Sequence, residues 1–150
     1  MDYICGMEQR ILEFINEHHV LTLAAAAKGD IWCASAFYVF DPGANSFIIT
    51  SDENTRHMLL ALDGAQTGIV SGAIVLETET VGMIRGLQFK AGIKKAGASL
   101  LDHSRLLYLK RFPYAILKGG DLWVLPLSEL KFTDNRLGFG KKLTWKKPDF

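Results

Sequence analysis

Strand-like apolar runs broken by polar turns are clearest between Val20 and Thr50. Val20 to Ala27 and Ile31 to Phe40 are apolar runs on either side of Lys28-Gly29-Asp30, and Ser46 to Thr50 follows Asp41-Pro42-Gly43-Ala44-Asn45. Apolar runs separated by such turn residues predict three consecutive antiparallel strands. In the second, Ile31, Cys33, Ser35, Phe37 and Val39 share one face, and Trp32, Ala34, Ala36, Tyr38 and Phe40 share the other. Both faces are largely apolar, so both are expected to be covered, one by a barrel interior and the other by a helix or a second subunit. Cys33 is expected to be a buried, inert thiol.

The remaining pattern supplies the flanking elements. Glu8 to His18 carries Ile11, Leu12, Phe14 and Ile15 at helical spacing and should pack over an open end of the β structure, with His18 and His19 as its polar end. Thr55 to Leu62 reads as a short helix stopped by Asp63-Gly64, and Thr67 to Ser71 as a strand. Thr80 to Ile93 alternates over its whole length, and the glycines of one parity, Gly82, Gly86 and Gly92, suggest bulges or close backbone approach. Ser99 to Phe112 opens with Ser99 and Asp102 at capping-box spacing, with Leu100, Leu101, Leu107 and Tyr108 on a packed face and Arg105, Lys110 and Arg111 outside. Asp121 to Lys131 and Lys141 to Trp145 complete the set. About six or seven strands with short flanking helices predict an α+β, mainly β protein built on a split barrel.

Composition narrows the function classes. A chain of 150 residues with 49% hydrophobic and 22% charged positions can bury one core, so one domain is expected over residues 1–150. A net charge of +1 gives no field suited to a nucleic-acid groove, and Lys141, Lys142, Lys146 and Lys147 read as a solvated strand edge. Cys5 and Cys33 form no disulfide framework, and Met1-Asp2-Tyr3 lacks a basic leader, so a cytoplasmic location is expected. No apolar run reaches the roughly 18 residues that span a bilayer. The two-sided apolar strands Ile31 to Phe40 and Thr80 to Ile93 exceed what one barrel of this size can cover, which predicts a homodimer.

No catalytic constellation or metal-ligand spacing emerges among His18, His19, His57, His103, Cys5 and Cys33. The candidate chemistry lies at Ser51, Asp52, Glu53, Asn54, Thr55, Arg56 and His57, hydroxyl and cationic donors gathered at a helix N-terminus. Unpaired amides and the positive dipole end suit a phosphate, whereas the plainer alternative is that Ser51 or Asp52 simply caps the helix. Arg85 sits on the apolar parity between Met83 and Leu87, where a cation must be paired, must snorkel, or must meet a ligand anion.

This order of elements, with Trp32-Cys33-Ala34, Ala36-Phe37-Tyr38, Thr55-Arg56-His57, Ile84-Arg85-Gly86, Gln88-Phe89-Lys90, Arg111-Phe112-Pro113, Lys131-Phe132-Thr133-Asp134-Asn135 and Leu137-Gly138-Phe139-Gly140-Lys141-Lys142, resembles the YhbP-like family. That family belongs with the FMN-binding split barrels related to pyridoxamine 5'-phosphate oxidase. The resemblance covers nearly the whole chain and implies a homodimer with FMN sites at its interface. It implies that Thr55, Arg56 and His57 hold the FMN phosphate, His57 standing where a Lys is usual, and that Trp32, Ser35, Phe37, Thr50, Ser51 and Gln88 neighbour the isoalloxazine. Asp134 and Asn135 are expected to order a turn. The implied activity is that of an FMN-dependent oxidoreductase or flavin-binding protein. The alternative is a non-catalytic split barrel that binds haem or another small molecule, or a dimeric interaction module.

Overall fold

Two successive residues with positive φ, Lys28 at 50° and Gly29 at 81°, make the tight turn whose twist matches a hairpin. It joins β1 (Val20–Ala27) to β2 (Asp30–Asp41) with Val20 opposite Phe37 and Ala27 opposite Asp30. In the next turn the Asp41 carboxylate accepts from the Gly43 amide at 3.0 Å, and Asn45 takes the left-handed conformation at φ 46° before β3 (Ser46–Ser51). This computed structural model describes residues 6–99, 101–117 and 120–149, so the readings made on Met1 to Tyr3, Cys5 and Leu100 fall outside the described residues.

β4 (Thr67–Val75), β5 (Arg85–Lys95), β6 (Asp121–Asp134) and β7 (Lys142–Lys146) follow in the sheet order β3-β2-β1-β4-β5-β6-β7. β3 also pairs antiparallel with the first part of β6, from Ser46 opposite Pro126 to Ser51 opposite Asp121. Six strands therefore close into a ring, and β7 continues as an edge along the second part of β6. The result is a split barrel, mainly β with short flanking helices.

Alternation fills the interior: Leu21, Leu23 and Ala25, then Tyr38 and Phe40, Phe47 and Ile49, and Leu87, Phe89, Ala91 and Ile93 are all buried. In β6 the inward set is Trp123, Leu125 and Leu127, then Leu130 and Phe132. The parity changes because Lys90 faces Glu129 while Ala91 faces Leu127, leaving Ser128 as the extra residue, its hydroxyl bonded to the Lys90 carbonyl at 3.0 Å. The bulge thus lies in β6 and not at the glycines of β5. A Cβ at Gly86 or Gly92 would meet only ordinary contacts.

α1 (Gln9–Glu17) buries Ile11, Phe14 and Ile15. Its end is tied to β2 by the Tyr38 hydroxyl, which donates to the Ile15 carbonyl at 2.6 Å. α2 (Arg56–Leu62) packs Met58 and Ala61 against β1, β2 and β4 and stops where Asp63 turns left-handed at φ 46°. α3 (His103–Arg111) lies outside the ring, with Tyr108 packed on Ile48 and Leu122. No helix among the described residues is long and apolar enough to cross a membrane.

Several expectations need correction. Thr80 to Ile84 is not strand: Val81–Met83 forms a 3-10 turn, because β4 ends at Val75 opposite Gly86 and leaves nothing for the earlier residues to pair with. The helix expected from Ser99 starts later, since the Asp102 carboxylate is the true cap, accepting from the Ser104 and Arg105 amides at 3.0 and 3.4 Å. Arg111 does not stay outside. It donates to the His18 carbonyl at 2.6 Å and the Tyr38 carbonyl at 3.1 Å, binding the ends of α1 and α3 to β2. Cys33 is exposed, not buried. β3 pairs with β2 only from Tyr38 onward, and α3 reaches no further than the Phe37–Phe112 ring contact at 5.5 Å, so Ile31, Cys33 and Ser35 stay uncovered within the chain.

The seat of α2 on β4 depends on a missing side chain. A Cβ built at Gly68 would overlap the Ala61 carbonyl oxygen, a backbone atom that cannot rotate away. Gly68→Ala should therefore destabilise the fold by about 1–3 kcal/mol, the overpacking range. Urea unfolding with an unchanged midpoint would show that α2 is not held at this distance.

Candidate functional site

The ring closure delivers Ser51, the last residue of β3, to the rim beside β6, where the Trp123 indole N–H donates to the Ser51 carbonyl at 2.9 Å. The chain then turns through Asp52, Glu53 and Asn54. The Asp52 carboxylate accepts from the Asn54 amide at 2.8 Å, so it organises this turn and does not cap α2. Lys95, at the end of β5, stands 3.4 Å from both Glu53 and Asp121 and fastens the same turn to the sheet.

The N-cap of α2 is Thr55, and its side chain makes no capping bond. Its hydroxyl instead donates back to the Asp52 carbonyl at 2.8 Å. The amides of the first helical turn are therefore without a side-chain cap among the described residues, so neither Ser51 nor Asp52 caps the helix. The His57 imidazole lies across this opening, with Nε2 2.8 Å from Ser51 Oγ and 3.2 Å from Thr55 Oγ1. With the Thr55 proton committed to Asp52, the Thr55 oxygen acts as acceptor toward the ring. Burial lowers the His57 pKa, so the ring is neutral at neutral pH. Two hydroxyls and an imidazole thus converge on an uncapped helix end.

Arg56 faces the other way from this cluster. Its guanidinium forms a two-pronged bond to Asp30, at 2.8 and 3.3 Å, and lies 4.0 Å over the Trp32 ring. That pairing holds the Asp30 carboxyl below its usual range. The remaining sequence candidates separate. Thr50 points to α3, 3.1 Å from the Tyr108 hydroxyl. Ser35 bonds Thr22 on the outer face at 3.1 Å, and Phe37 stacks on His19 there at 5.9 Å. Gln88 also lies on the outer face, lining a groove. Arg85 is at the opposite end of β5 from Lys95, paired with Glu17 at 3.0 Å and lying 5.6 Å over the Phe14 ring. Asp134 and Asn135 do order a turn: the Asp134 carboxylate holds the Arg136 amide and guanidinium, and Asn135 Nδ2 donates to the Val81 carbonyl at 2.9 Å.

Asp30, Lys95 and Trp123 were not among the sequence candidates. Asp30 reads as a turn residue, and only the fold shows that the hairpin tip meets the start of α2. Among the described residues, no three His, Cys, Asp or Glu side chains could hold a metal ion.

No protein-family model matches the chain. The UPF0306 protein YhbP of Escherichia fergusonii is 41% identical over 135 residues, covering 90% of each sequence. Among solved structures, a haem-binding protein from Mycobacterium smegmatis superposes with a TM-score of 0.69 at 16% identity, covering 89% of this chain but only 55% of that longer one. An FAD-binding protein from the same organism superposes at 0.61 with 7% identity, covering 93% and 98%. At such identities the solved structures speak for the fold alone. Near-complete coverage at 41% identity speaks for more, and the chain belongs to the UPF0306 protein YhbP family.

Proposed function

We propose that this protein is a homodimeric flavin-binding protein whose FMN phosphate is held at the start of α2, and that it works as an FMN-dependent oxidoreductase. The observation that carries the reading is the convergence of Ser51, Thr55 and His57 on an α2 N-terminus without a side-chain cap. Ser51 and His57 fit a phosphate in donor type, Thr55 would do so once its hydroxyl leaves the Asp52 carbonyl, and Arg56 at the adjacent position brings a permanent cation once it exchanges Asp30 for the ligand. A bound flavin would supply the hydride or electron transfer, which is consistent with a site that lacks a catalytic cluster. Trp32 and the outer-face residues Ser35, Phe37 and Gln88 are the proposed neighbours of the ring system, whereas Thr50 and Arg85 are engaged with Tyr108 and Glu17.

The homodimer is supported by the uncovered outer face. Ile31 and Ile69 are each 67% exposed, Val75 69% and Phe37 53%, all on the outward parity of β2 and β4, the two strands that flank β1. A second copy laid on this face would cover them. Sedimentation at micromolar concentration should give a dimer, and Ile69→Glu should shift it toward monomer. A native chain that stays monomeric would remove this part of the reading.

A near-ultraviolet and visible absorbance spectrum of freshly purified protein tests the cofactor. Flavin bands, with free flavin released on denaturation, are the expected result. A Soret band would instead favour the rival, a non-catalytic haem carrier or sensor, to which the likeness to the haem-binding protein of Mycobacterium smegmatis lends support. A colourless protein that takes up neither group on reconstitution would favour an interaction module.

Arg56→Ala should weaken FMN binding by about 1.5–3 kcal/mol, the range for hydrogen bonds to charged groups, and by more than His57→Ala does at neutral pH. Asp30→Asn should strengthen it by releasing Arg56. Because burial keeps unliganded His57 neutral, a phosphate dianion must raise its pKa and draw in a proton. FMN affinity should then rise as the pH falls below about 8 and go on rising past the ordinary imidazole value of about 6.5, because the unliganded ring has the lower pKa. Calorimetric titration in buffers of different ionisation enthalpy would read this proton uptake, which His57→Gln should abolish. Uptake that persists in that variant would place the phosphate away from His57.

A further inference from the structure

β7 is the open edge of the sheet: β6 stands on one side of it, and the strand order ends there. Two bonds flank it, from the Lys147 amide to the Ser128 carbonyl at 2.9 Å and from the Asp134 amide to the Lys141 carbonyl at 3.2 Å. With Leu143 opposite Phe132 and Trp145 opposite Leu130, they make Lys141, Leu143, Trp145 and Lys147 the residues that exchange hydrogen bonds with β6. Lys142, Thr144 and Lys146 therefore turn their N–H and C=O groups to the open side. Among the described residues no group meets them there.

The side chains divide in the same way. Those of Lys142, Thr144 and Lys146 are exposed on the outer face, whereas Trp145 is buried and Leu143 half-buried on the inner one. A strand added antiparallel to this edge would set three of its residues directly opposite Lys142, Thr144 and Lys146, and the two between them beside Leu143 and Trp145. On the β6 side Glu129 stands opposite Lys146, and Lys142 has only Thr133. Neither lysine forms an ion pair among the described residues. Lysines on an edge strand guard against pairing with another sheet. That guard has a sign: a second copy of β7 paired about Thr144 would set Lys142 against Lys146, whereas an acidic strand would be drawn in.

We propose that the β7 edge binds an acidic extended segment of a protein partner, adding it to the sheet as a further strand. The segment carries Asp or Glu opposite Lys142 and Lys146, and β-branched apolar residues between them that continue the inner face. Backbone bonds supply the affinity, and the two lysines select the sequence. A contact this small belongs with transient encounters. The site is independent of the flavin and homodimer readings, since it uses neither the start of α2 nor the outward residues of β1, β2, β4 and β5.

The test titrates the native protein into the end-capped, fluorophore-labelled peptide Glu-Val-Thr-Val-Glu at low salt, reading anisotropy, with Lys-Val-Thr-Val-Lys as the control of opposite sign. The acidic peptide is expected to bind with a Kd below about 1 mM and about tenfold more tightly than the basic one. Methylating the nitrogen of its central Thr removes the N–H aimed at the Thr144 carbonyl and should abolish binding. Methylating either Val nitrogen, which points away from β7, should not. In the protein, Lys142→Glu should weaken the acidic peptide about fivefold or more and strengthen the basic one. Thr144→Pro removes an edge N–H without removing a bond to β6 and should abolish binding of either. If its unfolding curve departs from that of the native protein, Lys142→Glu and the methylated peptides carry the test. Equal affinity for the two peptides overturns the proposal, as does the absence of binding at about 1 mM. So does binding that survives methylation of the Thr nitrogen, because charge attraction without strand addition would then account for it.

Discussion

The pairing of β3 with the first part of β6 is the constraint on which the rest of the molecule depends. It joins residues about 75 positions apart along the chain, from Ser46 with Pro126 to Ser51 with Asp121, and turns an open sheet into a ring. Without it Phe47, Ile49, Trp123 and Leu125 would have no common interior. Loop-closure entropy opposes so distant a contact, and the apolar surface it removes from water must exceed that cost. The same pairing sets the position of Ser51 and, through the Trp123 indole bond, the origin of the turn that leads into α2. Barrel closure and site formation are thus one event.

Local chemistry decided which elements were legible. β1, the Lys28-Gly29 turn, β3 and the Asp63-Gly64 stop are each specified by neighbours in sequence, and the structure has them where alternation and turn residues put them. Alternation misled at Thr80 to Ile84, because a pleated pattern makes a strand only where a partner strand is present, and β4 has ended. It misled again at Cys33, where apolar residues on both faces of β2 suggested cover that no element of the chain provides. Arg111 looked like an ordinary helix-end cation. Its bonds to the His18 and Tyr38 carbonyls are set by tertiary packing that no spacing within α3 encodes.

At the candidate site the donor types were legible, but their partners were not. Ser51, Thr55 and His57 lie within seven residues and meet through local geometry alone. Arg56 belongs to the same run, yet its partner is Asp30, twenty-six positions earlier, because α2 packs back over β1 and β2 and reaches the hairpin tip. Parity read Arg85 correctly as facing a covered side. Parity could not say that the anion it meets is Glu17 of α1.

These separations give the molecule a division of charge. At the α1 end, Arg85 with Glu17 joins β5 to α1, and Arg136 with Asp134 ties the end of β6 to the turn that follows it. At the α2 end Lys95 is matched by Glu53 and Asp121, and Arg56 by Asp30, but the amides of α2 and the His57 ring have only hydroxyls for company. A neutral imidazole is compatible with an uncapped helix start, because a permanent cation in its place would be repelled by the positive end of the helix. With its pKa lowered by burial, the His57 ring carries a charge there only when the pH or a neighbouring group favours the proton, where a Lys would carry one at all times.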